Sequence, residues 1–196
     1  MGAKVADMDT DDFDWGRALR EQWEFQWNHQ VRARLAGLTD EEYFWSPVPD
    51  PWTVHPRTGP DQAGGGDFVI DFAYPEPEPA PFTTIAWRLG HVIVGVLAMR
   101  NASHFGAPPA DYGTWEYAGD AVTALAQLDT QLEVWSAGLR GLDDRALQVP
   151  VGDKEPAHPD APMADLVLHI HRELIHHLAE VSLLRDLHTH MNGASR

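Results

Sequence analysis

Glu173 and His177 stand four residues apart in a run, Pro162 to His188, that reads as a helix. On a wheel of about 100° per residue with His177 at zero, Leu166 and Leu184 fall near about −20°, Ile170 near about +20°, Val181 near about +40° and Glu173 near about −40°. The spacing therefore predicts a carboxylate and an imidazole on one buried stripe, a single turn apart. A buried carboxylate without a partner costs several kcal/mol or takes up a proton. Side chains four apart lie side by side, so the pair can grip one cation. His91 interrupts the apolar stretch Ile85 to Met99 and is the third candidate ligand. Its face carries Thr84, Gly95, Ala98 and Ala102, small residues that would let a neighbouring helix approach closely. Two imidazole nitrogens and one carboxylate leave coordination positions open and suit Zn²⁺, Ni²⁺ or Fe²⁺. On zinc, a bound water becomes a nucleophile near neutral pH and a bound thiol loses its proton.

Other readings of the same residues stand beside this one. A lone histidine on an apolar face is commonly a satisfied core residue, and Glu173 could form a buried ion pair with Arg88 or Arg172. Glu173 and His177 could also hydrogen-bond to each other. His169 and His176, near about −80° and −100°, lie at the stripe edge as orienting partners or as helix surface. Glu180, near about −60°, could orient a ligand by hydrogen bonding or be solvated. His171 is expected on the outer face, and His188 and His190 where a fraying terminus meets solvent. Arg172-Glu173-Leu174-Ile175-His176 has the spacing of a zinc-protease H-E-x-x-H motif. Arginine stands where that motif needs its first histidine, so the protease reading is rejected.

Four helices must position these groups. The first runs from about Asp14 to Ala36, with Leu19, Trp23, Trp27, Val31 and Leu35 at steps of four and Gly37 beyond its end. The second runs from about Thr84 to Phe105, with Thr83 or Thr84 as its cap and Gly106 as its stop. The third runs from about Gly119 to Arg140, where Leu125, Leu128, Leu132, Trp135 and Leu139 mark a bundle seam. The fourth is the ligand-bearing run. Between the first two lies Ser46 to Pro81, with nine prolines and the run Gly64-Gly65-Gly66. Asp67 to Tyr74 alternates as a short strand would, and the remainder is expected to be irregular. So long a loop is either functional, a subunit contact or a linker. The fold expected is an all-α four-helix bundle over residues 13–190, between an acidic, disordered 1–12 and a flexible tail, 191–196.

The bulk composition narrows the function. With 14 Lys plus Arg against 30 Asp plus Glu, the net charge of −16 repels phosphate backbones and anionic lipid, so neither nucleic acid nor membrane is an expected partner. The absence of cysteine excludes disulfides, thiolate ligands and a cysteine nucleophile. Any thiol chemistry must bring its thiol from outside. No signal-peptide pattern and no spanning stretch is seen, so a cytoplasmic location is expected.

At Trp87-Arg88-Leu89-Gly90-His91 and His176-His177-Leu178-Ala179-Glu180 the sequence resembles the DinB superfamily of metal-binding four-helix proteins. The resemblance implies that His91 and His177 are ligands, joined by residue 173. That position is commonly histidine in the family, and the glutamate here is similar to the mycothiol-dependent maleylpyruvate isomerases. Tyr43-Phe44-Trp45-Ser46-Pro47-Val48-Pro49 resembles actinobacterial members of the family without known activity. The resemblance implies one divalent metal and a low-molecular-weight thiol cosubstrate of mycothiol type. It also implies a small-molecule substrate and a homodimer; Arg88, one turn from His91, could hold a substrate carboxylate or equally cover a helix face. Thiol transfer or isomerisation is the activity implied; a metal that only cross-links two helices is the alternative.

Overall fold

The first long helix, α1, is a continuous rod of three pieces, Trp15–Gln26, Trp27–Val31 and Arg32–Leu35. Asp14 caps it by accepting from the Arg17 N–H at 2.6 Å. A strict step of four drifts by about 40° per turn around an α-helix. The wider turn at Trp27–Val31, in which the Arg32 N–H reaches the Trp27 carbonyl, takes back part of that drift. Trp23, Val31 and Leu35 thereby stay on the core side. These coordinates are a computed structural model that describes residues 13–75 and 77–192; the expectation of disorder for 1–12 falls outside them, as does most of the tail.

A short helix, α2 (Asp40–Phe44), follows, which the hydrophobic periodicity does not announce. Its signal is a capping box: Thr39 accepts from the Glu42 N–H at 3.2 Å, and the Glu42 carboxylate accepts from the Thr39 N–H at 3.0 Å. Arg185 then clamps Glu42 with both arms, at 3.0 and 3.1 Å, and ties α2 to the last helix.

The proline-rich segment folds against the bundle. Strands β1 (Val54–Pro56) and β2 (Phe68–Ile70) pair antiparallel, with Val54 opposite Ile70 and Pro56 opposite Phe68. The strand expected over Asp67 to Tyr74 is thus shorter and has a partner. Nor is the glycine run a linker. A Cβ on Gly65 would lie 2.2 Å from the Thr114 carbonyl oxygen, so only glycine admits this approach. Two backbone hydrogen bonds, Trp52 N–H to Phe82 O at 2.8 Å and Thr84 N–H to Trp52 O at 3.0 Å, fasten the segment to the start of the next helix.

That helix, α3, comprises Ile85–His91, Val92–Ala98 and Met99–Phe105. Thr84 caps it by accepting from the Trp87 N–H at 3.2 Å, and Gly106 ends it at φ 73°. Helices α4 (Ala121–Arg140), α5 (Asp144–Leu147) and α6 (Met163–Asn192) complete the chain. Helices α3 and α1 each pack against both α4 and α6, so the long helices stand at the corners of a square. Helix α6 runs on through residues 191 and 192, the first two of the expected tail. His188 packs edge-on against Trp45 at 5.4 Å, so it too differs from the solvated terminus expected, while His190 is exposed.

Candidate metal centre

The buried face of α6 is centred further round the helix than a wheel set on His177 suggests. Val167, Leu174, Leu178 and Val181 are fully buried, which places the stripe centre near about +60° and brings His171 inside it. His171 is 6 % exposed, accepts from Trp135 Nε1 at 3.3 Å and stacks on Trp23 at 5.8 Å. The expected outward position is overturned because α6 meets α1 as well as α3, so two neighbours widen the buried stripe. The same shift moves Glu173 and His177 to its margin, with side chains 26 % and 14 % exposed. They lie at the edge of the core rather than deep inside it, and Glu173 lines a cleft that also reaches His91.

There the two meet His91. His177 Nε2 lies 3.4 Å from Glu173 Oε2, and the His91 and His177 rings stand edge to face at 4.8 Å. Ligand atoms of His91, Glu173 and His177 all fall within 4.8 Å of one another. A tetrahedral ion about 2.1 Å from each donor sets its ligands roughly 3.4 Å apart, so small rotamer changes close this triangle. A second group, His176, His177 and Glu180, also has ligand atoms within reach of one another. It is the poorer candidate, because His176 is 63 % exposed and Glu180 is engaged by Arg88.

The remaining nitrogens have partners of their own. His177 Nδ1 is 2.9 Å from Glu180 Oε2, and Arg88 donates to the same oxygen. Arg88, expected as a substrate contact, is thus turned to Glu180, and its Nε is buried without a partner. His91 Nδ1 is 2.6 Å from the Tyr112 hydroxyl. In the tautomers that leave Nε2 free to ligate, His177 Nδ1–H donates to Glu180 and His91 Nδ1–H donates to Tyr112. Burial, with His177 close by, pushes the His91 imidazole down to about 4, and burial pushes the Tyr112 phenol up to about 12. Both are therefore neutral at pH 7. His169 Nδ1 and Arg172 Nε approach the other oxygen of Glu173, at 3.7 and 3.6 Å. His176 lies 3.5 Å from Glu180 Oε1 at the surface.

Tyr112 is the site residue that spacing did not reveal. Gly95 is what admits it: a Cβ there would lie 2.0 Å from the Tyr112 hydroxyl and 3.3 Å from His91 Nδ1. The small residue thus serves a tyrosine from the loop after α3, where the sequence suggested a neighbouring helix. Just beyond His91, α3 widens at Val92–Ala98, with the Met99 N–H reaching the Val94 carbonyl. Arg100 donates to the Gly95 carbonyl oxygen at 2.7 Å, which supplies a partner for that backbone group within the widened turn.

The ordered pair of motifs on α3 and α6 has a counterpart among known families. The family model of the DinB superfamily matches residues 69–181, more than half of the chain. The chain belongs to the DinB superfamily. The matched span opens at β2 and includes His91, Glu173 and His177. No curated protein and no solved structure matches. Within this DinB-like chain, no helix among the described residues is long and apolar enough to cross a membrane.

Proposed function

We propose that His91, Glu173 and His177 hold one divalent cation, with Zn²⁺ or Ni²⁺ favoured and Fe²⁺ the third candidate, and that the centre serves a thiol-dependent transferase or isomerase. The supporting observation is the environment of His177. A neutral imidazole has one N–H and one lone pair. Here a carboxylate faces each nitrogen, at 2.9 and 3.4 Å. With the N–H given to Glu180, a lone pair meets the Glu173 carboxylate, an arrangement that a cation between them makes favourable.

Access favours an enzyme over a structural clamp. Three protein donors leave coordination positions open, and two clefts, of about 360 and 210 Å³, both reach His91. When bound, the cation would act as a Lewis acid that holds a low-molecular-weight thiol of mycothiol type as its thiolate. The chain would bind and orient the small-molecule substrate, Tyr112 and Glu180 would fix the two imidazoles, and the aromatic walls would exclude water.

Elemental analysis of tag-free protein tests the reading, beside Glu173→Ala and His177→Ala. Near-stoichiometric metal in the parent and its loss in both variants is expected, with thiol consumption against electrophilic substrates only in the parent. Equal metal in all three would overturn the ligand set. Bound metal without turnover of any cellular thiol would return the centre to the cross-linking role.

A further inference from the structure

The larger of the two clefts at His91 is built from aromatic rings. Trp52 and Trp87 lie 6.1 Å apart, Trp87 stacks on His91 at 5.5 Å and 13°, His91 on Tyr112 at 6.3 Å and 19°, and Tyr112 on Phe72 at 5.9 Å and 24°. Five rings form one continuous chain with His91 at its middle, and all five line the same cleft of about 360 Å³. Trp87 and His91 share the first turns of α3, and the other three rings come from the segments before and after it. Trp87 is pinned through its Nε1–H to the Asp71 carbonyl oxygen at 2.8 Å. Trp52 is fastened by its backbone hydrogen bonds to Phe82 and Thr84. Tyr112 is held to His91. Phe72 is 59 % exposed, an apolar side chain that lines the cleft and stacks on Tyr112.

The charge of the lining is as informative as its shape. Among the described residues its only carboxylate is Asp71, which is occupied: Oδ2 accepts from the Thr53 N–H at 2.8 Å and Oδ1 lies 3.3 Å from His55 Nε2. Among the described residues its one cationic-type group is His91, a ligand of the ion proposed above. The smaller cleft on the other side of His91 differs, since Arg100, His169 and Glu173 line it. The lining of the aromatic cleft holds one orphaned polar atom, the hydroxyl of Thr83, a residue 7 % exposed with no hydrogen-bond partner.

We propose that the aromatic cleft binds a planar, uncharged conjugated ring bearing a hydroxyl or carbonyl substituent, stacked between the Trp52–Trp87 and Phe72–Tyr112 walls with one edge at His91. A flat ring entering the cleft would meet these side chains in the offset or edge-to-face geometries that aromatic pairs prefer, at about 4.5–7 Å. Apart from the ion proposed at His91, the lining offers no free counter-charge to an ionic group among the described residues. That this ring belongs to the substrate of the metal centre rests on the function proposed above; that it binds here does not.

Calorimetric titration with 2-naphthol, and with its saturated counterpart decahydro-2-naphthol, separates the two statements. The metal-loaded parent should bind 2-naphthol saturably and the saturated alcohol roughly ten-fold more weakly. Phe72→Ala, at an exposed position that leaves the thermal melt unchanged, should weaken 2-naphthol by roughly 3–10-fold, the effect of losing one stacked ring. His177→Ala, which removes the metal on the reading above, should change naphthol affinity by less than about two-fold, as expected for a ring held by stacking rather than by the ion. Equal affinity for the flat and saturated alcohols, no saturable binding, or indifference to Phe72→Ala would overturn the cleft. A parent protein that takes up no metal yet binds 2-naphthol selectively would leave the cleft standing and overturn the metal centre alone.

Discussion

His171 and His177 stand six residues apart on α6 and face opposite problems. His171 is surrounded by rings. Trp135 donates to its Nε2, Trp23 covers its face, and burial alone pushes it down to about 4, so it is a neutral base with nothing left to attract. His177 is less buried yet has a carboxylate at each nitrogen. Burial of a histidine is therefore not what marks a site in this bundle. The mark is two acceptors aimed at a group that, while neutral, can donate to only one of them.

The largest effects should come from taking His177 out of this contrast. His177→Ala should lower bound metal from near one per chain to below about a tenth. A chelator should lower the melting temperature of the parent by several degrees and leave that of the variant unchanged, because only a folded chain that binds metal gains from it. His171→Phe should retain full metal occupancy, and a loss as large as that in His177→Ala would erase the distinction. Next in size is Glu180→Gln, which keeps the shape but weakens the acceptor that orients His177. A loss of about 10–100-fold in metal affinity is expected, the usual consequence of removing such a partner. Gly95→Ala should act on the other imidazole by displacing the Tyr112 hydroxyl, with a smaller loss of affinity and no change in the α6 pair.

The last effect concerns acid. A histidine near 6.5 in the unfolded chain and about 4 in the fold takes up its proton first on unfolding. Its neutral burial is without cost above about pH 6.5, and stability falls as pH drops from there towards 4, by at most about 3 kcal/mol for His171. Chemical denaturation of metal-free protein from pH 7.5 to 4.5 should show this decline, and His171→Phe should reduce its slope, with His91 contributing to what remains. An unchanged slope would place the acid sensitivity elsewhere.

The sequence carried the helices well because each has a wide apolar face and a cap that can be read: Asp14, Thr84 and Gly106 all do what their types suggest. The triad was legible for a related reason, since Glu173 and His177 share a helix and their spacing is geometry already. His171 was not legible, because a wheel centred on a presumed ligand fixes the stripe by one neighbour, and α6 has two. Tyr112 was hidden for want of periodicity: it sits in the loop after α3, and only the three-dimensional closeness of Gly95 ties it to His91. Helix α2 was missed although Thr39 and Glu42 spell a capping box, because five residues are too few to show a stripe. The glycine run looked like a linker because composition cannot show that Thr114 packs against it.

The account turns on one cation shared by α3 and α6. Anomalous diffraction at the zinc edge, from crystals of zinc-loaded protein, would locate it. A single peak about 2.0–2.2 Å from Nε2 of His91, Nε2 of His177 and an oxygen of Glu173 is the predicted result. A peak between His176 and Glu180, or none near His91, would contradict it.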